Sequence, residues 1–389
     1  MMKMVFADYA GHPFQAQLAR SLARRGIDVL YVFARGVGGP KGLLSASADD
    51  PKGVQFRGLG SVRQDKVSAR SRVLAALDFG RELRLAILSF DPDTILISNM
   101  PPEAMLSAGF GSGSRRWVWW VQDCFAAASR QFLLKRNRLV ASVAIPFYAW
   151  AERRMASRSD AIIVISDSFL NSIPMNARSK TEIIHNWAAL DEMPQLNRKN
   201  SWADQHDLSR SFNFVYSGTL ALKHSPEILL SLGIRISEAS AARVVIVSEG
   251  PGADWIAHEA GRQRLSNIIV LPFQPYERVP EVLASADVLL ALLERDAGAV
   301  SVPSKILAYL CAGRAILAAI PEGNLARSIL EKSNSGVVVA PGDADAFVCE
   351  AIRLMKESDW RRQLGLNGRK YAEETFDIER ITDRFFELL

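Results

Sequence analysis

Cysteine is scarce in this sequence, and the three cysteines present, Cys124, Cys311 and Cys349, lie far apart along the chain. Isolated thiols exclude a disulfide framework and paired-cysteine metal motifs, and they are typical of a protein from a reducing compartment. The five histidines are equally scattered, without the short spacing that zinc ligands require. These residue types therefore predict no metal and no other cofactor.

Long hydrophobic runs and a strong net charge are also missing. The longest apolar run, Leu139–Ala151, is too short to span a bilayer and contains Pro146. The first residues, Met1–Ala7, lack the apolar core of a signal peptide. The formal net charge of +5 is too small to indicate nucleic acid as a partner, and no nucleic-acid-binding motif is present. These absences favour a globular cytoplasmic protein.

What the sequence does contain is a regular alternation of strand and helix patterns over 389 residues, more than one hydrophobic core usually holds. Short runs rich in β-branched and aromatic residues predict buried parallel strands. They are Lys3–Ala7, Asp28–Ala34, Val54–Arg57, Thr94–Ser98, Trp117–Val121, Ala161–Ser166, Glu182–His185, Phe212–Ser217, Arg243–Ser248, Asn267–Leu271, Asp287–Leu293, Ala315–Ala319 and Gly336–Val339. The intervening amphipathic segments, such as Phe14–Arg25 and Lys66–Leu88, predict helices.

This alternation predicts an α/β protein with two Rossmann-like, doubly wound domains that face each other across a cleft. We place the N-terminal domain at 1–193 and the C-terminal domain at 212–373. The polar stretch 194–211, with no periodicity, is interpreted as a linker. Residues 374–389 are expected to form a helix that packs back on the N-terminal domain.

Three loops of the C-terminal half follow predicted strands and carry small or basic residues. Lys223 follows Gly218 and Thr219, a small-residue turn follows Ser248, and Lys305 begins a helix after Val302-Pro-Ser. The ends of parallel strands meet at one edge of a sheet, where ligands of such folds bind. A lysine at a helix N-terminus there is suited to an anion, although either lysine is also explained as a solvated surface charge.

Two Asp-x-Asp sequences could be mistaken for metal sites. Asp91-Pro-Asp93 precedes a strand instead of following one, and Asp343-Ala-Asp345 opens a helix. We interpret the first as a turn and the second as a helix cap.

In their order and spacing, the motifs of this chain resemble those of the family four retaining glycosyltransferases, which have the GT-B fold. Within this family, the chain is most similar to the branch that acts in bacterial exopolysaccharide, colanic acid and O-antigen assembly. The matching segments are Tyr9-Ala-Gly-His-Pro13, Val121-Gln-Asp123, Ser159–Ser166, Ile184-His-Asn-Trp187, Tyr216–Lys223, Ser248-Glu-Gly-Pro251 and Val302-Pro-Ser-Lys305. The resemblance covers nearly the whole chain.

This resemblance implies an enzyme that moves a hexose-type sugar from a UDP- or GDP-sugar to a lipid-linked glycan, without a metal. The C-terminal domain would bind the donor and the N-terminal domain the acceptor. The implied donor-binding residues are Gly218, Thr219, Lys223, Glu249, Gly250, Pro251, Phe273, Val302, Pro303, Ser304 and Lys305. An ordinary turn at Glu249–Pro251 is the alternative for that segment.

The implied acceptor-binding residues are Gly11, His12, Gln122 and Asp123, of which His12 and Asp123 are the catalytic candidates. The alternatives are an incidental loop histidine for His12 and a cap of the next helix for Asp123. One departure from the family pattern matters, because Val300 and Ala308 stand where the family commonly has two glutamates that contact the sugar and the ribose. Glu294 and Asp296, on the same loop, are the candidates for a replacement carboxylate.

A basic and apolar segment, 130–158, indicates a membrane surface as a partner. Its candidate contacts are Lys135, Arg136, Arg138, Phe147 and Trp150, and a core helix with basic ends is the alternative. With a lipid-linked acceptor, the protein would be peripheral on the inner face of the plasma membrane.

Two other functions remain open. The same fold could serve a nucleotide-sugar epimerase or hydrolase, which would act without an acceptor. The missing glutamates would also suit a noncatalytic nucleotide-sugar-binding subunit of a polysaccharide assembly complex.

Overall fold

A computed structural model of the protein describes residues 1–36, 44–61, 69–111, 113–238, 241–295 and 304–389, apart from the side chains at positions 69, 131, 132, 135 and 136. The backbone contacts divide the chain into two compact units. Unit 1 comprises Met1–Asn186 together with Ile378–Leu389, and unit 2 comprises Trp187–Asp377.

Unit 1 is built on a seven-stranded parallel sheet with the order β3-β2-β1-β4-β5-β6-β7. Its strands are β1 Lys3–Asp8, β2 Asp28–Ala34, β3 Val54–Leu59, β4 Thr94–Ser98, β5 Arg116–Val121, β6 Ala161–Val164 and β7 Thr181–Ile183. The central strands β1 and β4 are buried along almost their whole length. This burial explains why they are continuous apolar runs in the sequence.

Unit 2 is built on a six-stranded parallel sheet with the order β10-β9-β8-β11-β12-β13. Its strands are β8 Phe212–Ser217, β9 Ala242–Val247, β10 Ile268–Leu271, β11 Val288–Leu292, β12 Ala315–Ala319 and β13 Gly336–Val339. One apolar cluster extends from the strands to the helices on the sheet face, including Leu232, Ile256 and Phe347.

Helices connect the strands and cover both sheets. They are α1 Pro13–Arg24, α2 Ala69–Phe90, α3 Pro102–Ser107, α4 Phe125–Arg136, α5 Arg138–Arg158, α6 Ser201–Gln205, α7 Glu227–Ile236, α8 Pro251–Arg262, α9 Val279–Ala284, α10 Ser304–Ala312, α11 Leu325–Ser333, α12 Ala344–Lys356, α13 Ser358–Thr375 and α14 Ile378–Phe386. Among the described residues, no helix combines the length and the apolar character needed to cross a membrane.

The two sheets share a strand order that creates a binding position in each. In unit 1 the first strand, β1, lies between β2 and β4, and in unit 2 the first strand, β8, lies between β9 and β11. The chain therefore winds in opposite directions from the first strand, and a crevice forms beside its carboxyl end. This arrangement confirms the two Rossmann-like, doubly wound α/β domains predicted from the sequence.

The boundary between the units differs from the expected one. The chain passes from unit 1 to unit 2 between Asn186 and Trp187 instead of after residue 193, and residues 194–211 belong to unit 2. In that stretch Trp202 is buried, and its indole N–H donates to the Gln274 side chain at 3.0 Å. Because the stretch is polar overall, the sequence did not indicate that Trp202 fixes it to unit 2.

The last helix, α14, lies in unit 1 and packs against α1. Phe385 is fully buried, and its ring stands edge-on to that of Trp120 with centroids 4.7 Å apart. Arg25 forms ion pairs with Glu379 and Asp383 at the surface of the same contact. The end of the chain thus completes the core of unit 1.

Replacing Phe385 with alanine should destabilise unit 1 by about 3 to 5 kcal/mol, because a fully buried aromatic ring would leave a cavity. Chemical denaturation followed by tryptophan fluorescence measures this loss. The adjacent Phe386 is 48% exposed, so Phe386→Ala is the matched control and should change the free energy of unfolding by less than about 1 kcal/mol. Equal effects of the two substitutions would contradict the described packing of α14.

Candidate functional site

A connected group of polar side chains in unit 2 lies at the first described residues of α10, next to β8. The Lys305 ammonium group donates to the Tyr216 hydroxyl at 2.6 Å and stands 4.0 Å from the centre of that ring. Gly218 adopts a positive φ of 124°, and a Cβ atom there would lie 3.4 Å from Lys305 Nζ. The glycine therefore leaves room for the lysine beside the end of β8.

The charge of Lys305 lies in an unusual environment. Burial lowers the pKa of its amine from the usual 10.5 to about 7. Among the described residues, no carboxylate forms an ion pair with it, since its polar contact is the neutral phenol of Tyr216. A buried cation with a neutral partner is suited to an incoming anion, which would supply the missing countercharge.

A short chain of hydrogen bonds fixes this corner of the sheet. Tyr216 donates its hydroxyl to the Thr219 carbonyl at 2.7 Å, so the Lys305 contact is continued into the loop after β8. The Tyr309 hydroxyl, on α10, donates to the Ser217 carbonyl at 3.0 Å and accepts from the Ser217 amide at 2.9 Å. The sequence did not assign roles to either tyrosine, because both are buried like ordinary core residues.

Lys223, the other basic candidate, has a different environment. It is largely exposed and forms an ion pair of 2.9 Å with Glu294, which follows β11. This pair joins the loops after β8 and β11, on the two sides of the crevice. Glu294, considered as a replacement for the missing glutamates, therefore already has a cationic partner.

His224 is a neighbour of both lysines that the sequence did not single out. Its Nδ1 accepts from the Ala221 amide at 3.1 Å, which places the proton of the neutral ring on Nε2. Burial, and then the charges of Lys305 and Lys223, lower the pKa of this imidazole, while Glu294 opposes them. The ring is therefore a neutral hydrogen-bond donor in this corner at neutral pH.

The loop after β9 brings together three other predicted residues. The Glu249 carboxylate accepts from the Phe273 amide at 3.1 Å, which ties the loops after β9 and β10 to each other. Gly250, with a φ of 105°, directly precedes Pro251, the first residue of α8. The Gly218 amide donates to the Val247 carbonyl at 3.0 Å, which ties the loop after β8 to the end of β9.

Several candidates for the donor site cannot be placed. Val302 and Pro303, as well as Val300 and Asp296, lie outside the described residues. Ser304 is exposed and is the first described residue of α10. Ala308 lies partly buried on the same helix, without a polar side chain.

In unit 1, a cluster forms at the crevice beside β1. Asp8, at the end of that strand, is fully buried and accepts from the Tyr31 hydroxyl at 2.8 Å and from the His12 backbone amide. Its other oxygen lies 3.3 Å from His12 Nδ1. Asn99, after β4, places its side-chain nitrogen 3.4 Å from the same ring atom. Asp8 and Asn99 were not predicted, because a polar residue ending an apolar strand has no distinctive spacing.

The charges around His12 work in opposite directions. Burial alone would lower the pKa of the His12 imidazole, but the Asp8 carboxylate and, more weakly, Asp123 raise it overall. Burial raises the pKa of Asp123, and His12 partly offsets this effect. The structure therefore brings the two catalytic candidates within electrostatic reach of each other. Asp123 does not cap α4, since Cys124 is the capping residue.

The remaining acceptor-side candidates are fixed by the backbone and by amides. Gly11 has a φ of 75°, which lets the chain turn between Asp8 and the start of α1. Gln122 and Asn186 exchange two side-chain hydrogen bonds of 3.0 and 2.7 Å. This pair holds the end of β5 to the segment after β7.

The contacts of the two Asp-x-Asp sequences confirm the helix cap predicted for the second. In the first, Asp91 has a φ of 52° directly after α2, and Asp93 accepts from the Lys3 amide at 2.8 Å. Asp343 caps α12 by accepting from the Ala346 amide at 2.9 Å. Within the described ranges, no group of His, Cys, Asp and Glu is arranged to hold a metal ion.

Comparisons with known proteins agree with this architecture. Residues 11–187 match the glycosyl transferase 4-like domain, and residues 211–357 match the glycosyl transferases group 1 domain. The structure superposes on sucrose-phosphate synthase from Thermosynechococcus elongatus over all of this chain and 98% of that one, with a TM-score of 0.73 and 14% identity. It superposes on Anabaena HepE, solved with UDP-glucose, over all of this chain and 99% of that one, with a TM-score of 0.68 and 14% identity.

A curated relative is the colanic acid biosynthesis glycosyl transferase WcaI of Escherichia coli K12, 25% identical over 60% of this chain. The chain spans 58% of the length of the curated relatives that it matches. The fold is therefore that of the GT-B proteins. The two domain matches, in this order, place the chain in the GT-B glycosyltransferase family.

The pKa of His12 should fall when Asp8 is replaced with asparagine, because the carboxylate that favours the imidazolium is removed. NMR titration of the imidazole resonances measures this shift, with His12→Gln providing the assignment. In wild type the His12 contribution to stability is present below pH 6.5 and is lost as the pH rises through the raised value. Tyr31→Phe keeps the carboxylate and is the control for packing, so an unchanged His12 pKa in Asp8→Asn would contradict the described coupling.

The Lys305 amine should titrate near pH 7, and pyrophosphate should raise its pKa by supplying a countercharge. Reductive methylation with 13C followed by NMR measures this value, and Lys305→Met assigns the signal. Between pH 7 and 10.5 the lysine is protonated in the unfolded chain but neutral in the folded protein. The free energy of unfolding should therefore increase as the pH rises through this range. A Lys305 signal that titrates like an ordinary surface lysine would contradict the described burial.

Proposed function

We propose that the protein is a glycosyltransferase that moves a hexose-type sugar from a UDP- or GDP-sugar to a lipid-linked glycan. The reaction would proceed with retention at the anomeric carbon and would belong to the assembly of a bacterial surface polysaccharide. The observation that carries this proposal is the buried Lys305 amine at the crevice of unit 2. This amine lies where ligands of doubly wound sheets bind and lacks an anionic partner among the described residues.

The relatives support a nucleotide sugar as the ligand. HepE, which shares the fold, was solved with UDP-glucose, and WcaI is named for colanic acid biosynthesis. A nucleotide sugar carries a diphosphate between the nucleoside and the sugar, and this diphosphate is the anion we assign to Lys305. Lys223 would reach it after release from Glu294, and the loop from Glu249 to Pro251 would lie under the nucleoside, with the backbone at Phe273 near the base.

The transfer breaks the bond between the anomeric carbon and the phosphate oxygen and forms a bond from that carbon to an acceptor hydroxyl. The departing nucleoside diphosphate gains negative charge as the bond breaks, and a cation already in place stabilises it without reorganisation. We propose that Lys305 and the beginning of α10 perform this role in place of a metal. The Nε2–H of neutral His224 is a further donor for a phosphate oxygen.

The acceptor would be bound by unit 1. In the pair of His12 and Asp123, the carboxylate offers a proton acceptor, while the raised pKa of the imidazole favours its protonated form. Gly11 leaves space for close approach of the ligand. With retention, the acceptor attacks from the side on which the phosphate leaves, and the proton passes to that phosphate or to this pair. We assign no covalent nucleophile. Because the acceptor is a lipid, we place the protein peripherally on the cytoplasmic face of the plasma membrane.

Two experiments separate this function from the others considered. Thermal shift with UDP-, GDP-, ADP- and dTDP-sugars identifies the donor class, since a ligand that binds the folded state raises its stability. Incubation of the full chain with the selected radiolabelled donor and a membrane lipid extract should then give labelled lipid. Release of free sugar or an epimer without lipid would favour the epimerase or hydrolase, and binding without any turnover would favour the noncatalytic subunit.

Replacing Lys305 with methionine should weaken binding of the selected nucleoside diphosphate about 10- to 100-fold, because a charge-assisted hydrogen bond is lost while the apolar stem is kept. Isothermal titration calorimetry measures the dissociation constant. Lys356→Met removes an exposed lysine at the end of α12 and is the matched control, with no expected effect. Unchanged affinity in Lys305→Met would contradict the assignment of the phosphate site.

A further inference from the structure

Helix α5 carries an apolar ridge that the described part of unit 1 leaves exposed. Leu139 is 83% exposed, Val143 72% and Trp150 49%. The opposite face, with Ala141, Ala151 and Met155, is buried in the unit. A core helix with basic ends, the alternative interpretation of this segment, is therefore not what the structure contains.

The ridge is continuous along one side of the helix. Leu139, Val143, Pro146, Trp150 and Arg154 follow one another at intervals of three or four residues, which places them on one face. The apolar part extends over about 16 Å, at about 1.5 Å per residue. Exposed apolar surface of this extent is uncommon on soluble monomers unless it serves an interaction.

An open cavity at the N-terminal half of the ridge widens the apolar surface, with Leu139 and Val143 among its lining residues. It has a volume of about 510 Å³, and Val140, Ala144 and Phe147 contribute apolar walls to it. Its polar side is closed by Tyr148, which donates to the Glu103 carboxylate at 2.7 Å. The polar groups of this pair satisfy each other, so the cavity offers mainly apolar contacts.

The exposed charged residues of the same helix are all basic. Arg138, Arg153 and Arg154 are exposed, and none of them forms an ion pair with another described residue. The acidic residue of the helix, Glu152, is turned toward α4, where it accepts from the Ala126 amide at 3.1 Å. An apolar ridge that is flanked by unopposed arginines matches an anionic lipid bilayer, with apolar chains inside and negative head groups above them.

We propose that this face of α5 docks the protein on an anionic lipid bilayer, with Leu139, Val143 and Trp150 entering the boundary of the acyl chains. Arg153 and Arg154 then contact the head groups. The inference rests on the proposed lipid-linked acceptor, because it gives the transferase a way to hold unit 1 at the surface where that acceptor lies. The side chains of Lys135 and Arg136, predicted as further contacts, are outside the described residues.

Binding of the full chain to vesicles of phosphatidylglycerol and phosphatidylcholine at 0.1 M salt tests the proposal. Each arginine near an anionic surface contributes about fivefold to binding, so Arg153→Gln with Arg154→Gln should weaken it about 30-fold. Arg235→Gln with Arg362→Gln removes two exposed arginines of unit 2 and is the control for the overall positive charge. Equal losses in the two double variants would overturn the assignment of the surface.

Trp150 supplies a direct readout of depth. All eight tryptophans lie in the described residues, and Trp150 is the exposed one. Its emission should shift to shorter wavelength on anionic vesicles and be quenched by lipids brominated on the acyl chains, and both effects should vanish in Trp150→Phe. Quenching that persists in this variant would overturn the proposal, as would self-association of the protein through this face without vesicle binding.

The donor site gives an independent check. Nucleotide affinity, a property of unit 2, should be the same in the α5 variants as in wild type. If the wild-type protein binds nucleotide but does not bind vesicles, the docking surface alone is refuted. Absence of nucleotide binding with vesicle binding intact would refute the proposed function and leave the surface supported.

Discussion

The position of the first strand in each sheet is the constraint on which both polar clusters depend. Because β1 lies between β2 and β4, and β8 between β9 and β11, the connections on the two sides leave in opposite directions. The backbone at the end of the first strand is thereby left uncovered. In unit 1 this position holds Asp8 and His12, and in unit 2 it holds the loop after β8 with Lys305 against it. The same geometry thus places a carboxylate–imidazole pair in one unit and a cation in the other.

The two clusters differ in how they compensate a buried charge, and this difference favours different chemistry. Asp8 is satisfied within the protein by Tyr31 and by His12, so it holds the imidazole in place and favours its protonated form. Lys305 has a neutral phenol as its partner, so part of the cost of burying its charge remains until an anion arrives. A pair with internal compensation is suited to moving protons, whereas an uncompensated cation is suited to binding a diphosphate and to stabilising it as it departs.

Much of the fold could be predicted from the sequence, because fully buried parallel strands are continuous apolar runs with turns at their ends. The loops with Gly218, Glu249 and Lys305 could also be located, since each follows such a run. The partners of these residues could not: Tyr216 looks like any core aromatic, and Asp8 is a single polar residue at the end of an apolar strand. For α5 the sequence offered both a membrane-facing segment, with Trp150 as a contact, and a core helix, and only the burial of its side chains distinguishes the two cases.

A crystal structure of the full chain with the nucleoside diphosphate selected by thermal shift tests the central claim most directly. We expect a diphosphate beside the end of β8, with a phosphate oxygen within hydrogen-bond distance of Lys305 Nζ. The His224 ring would lie on the same side of the ligand. A diphosphate bound elsewhere, with Lys305 still held by Tyr216 alone, would contradict the account.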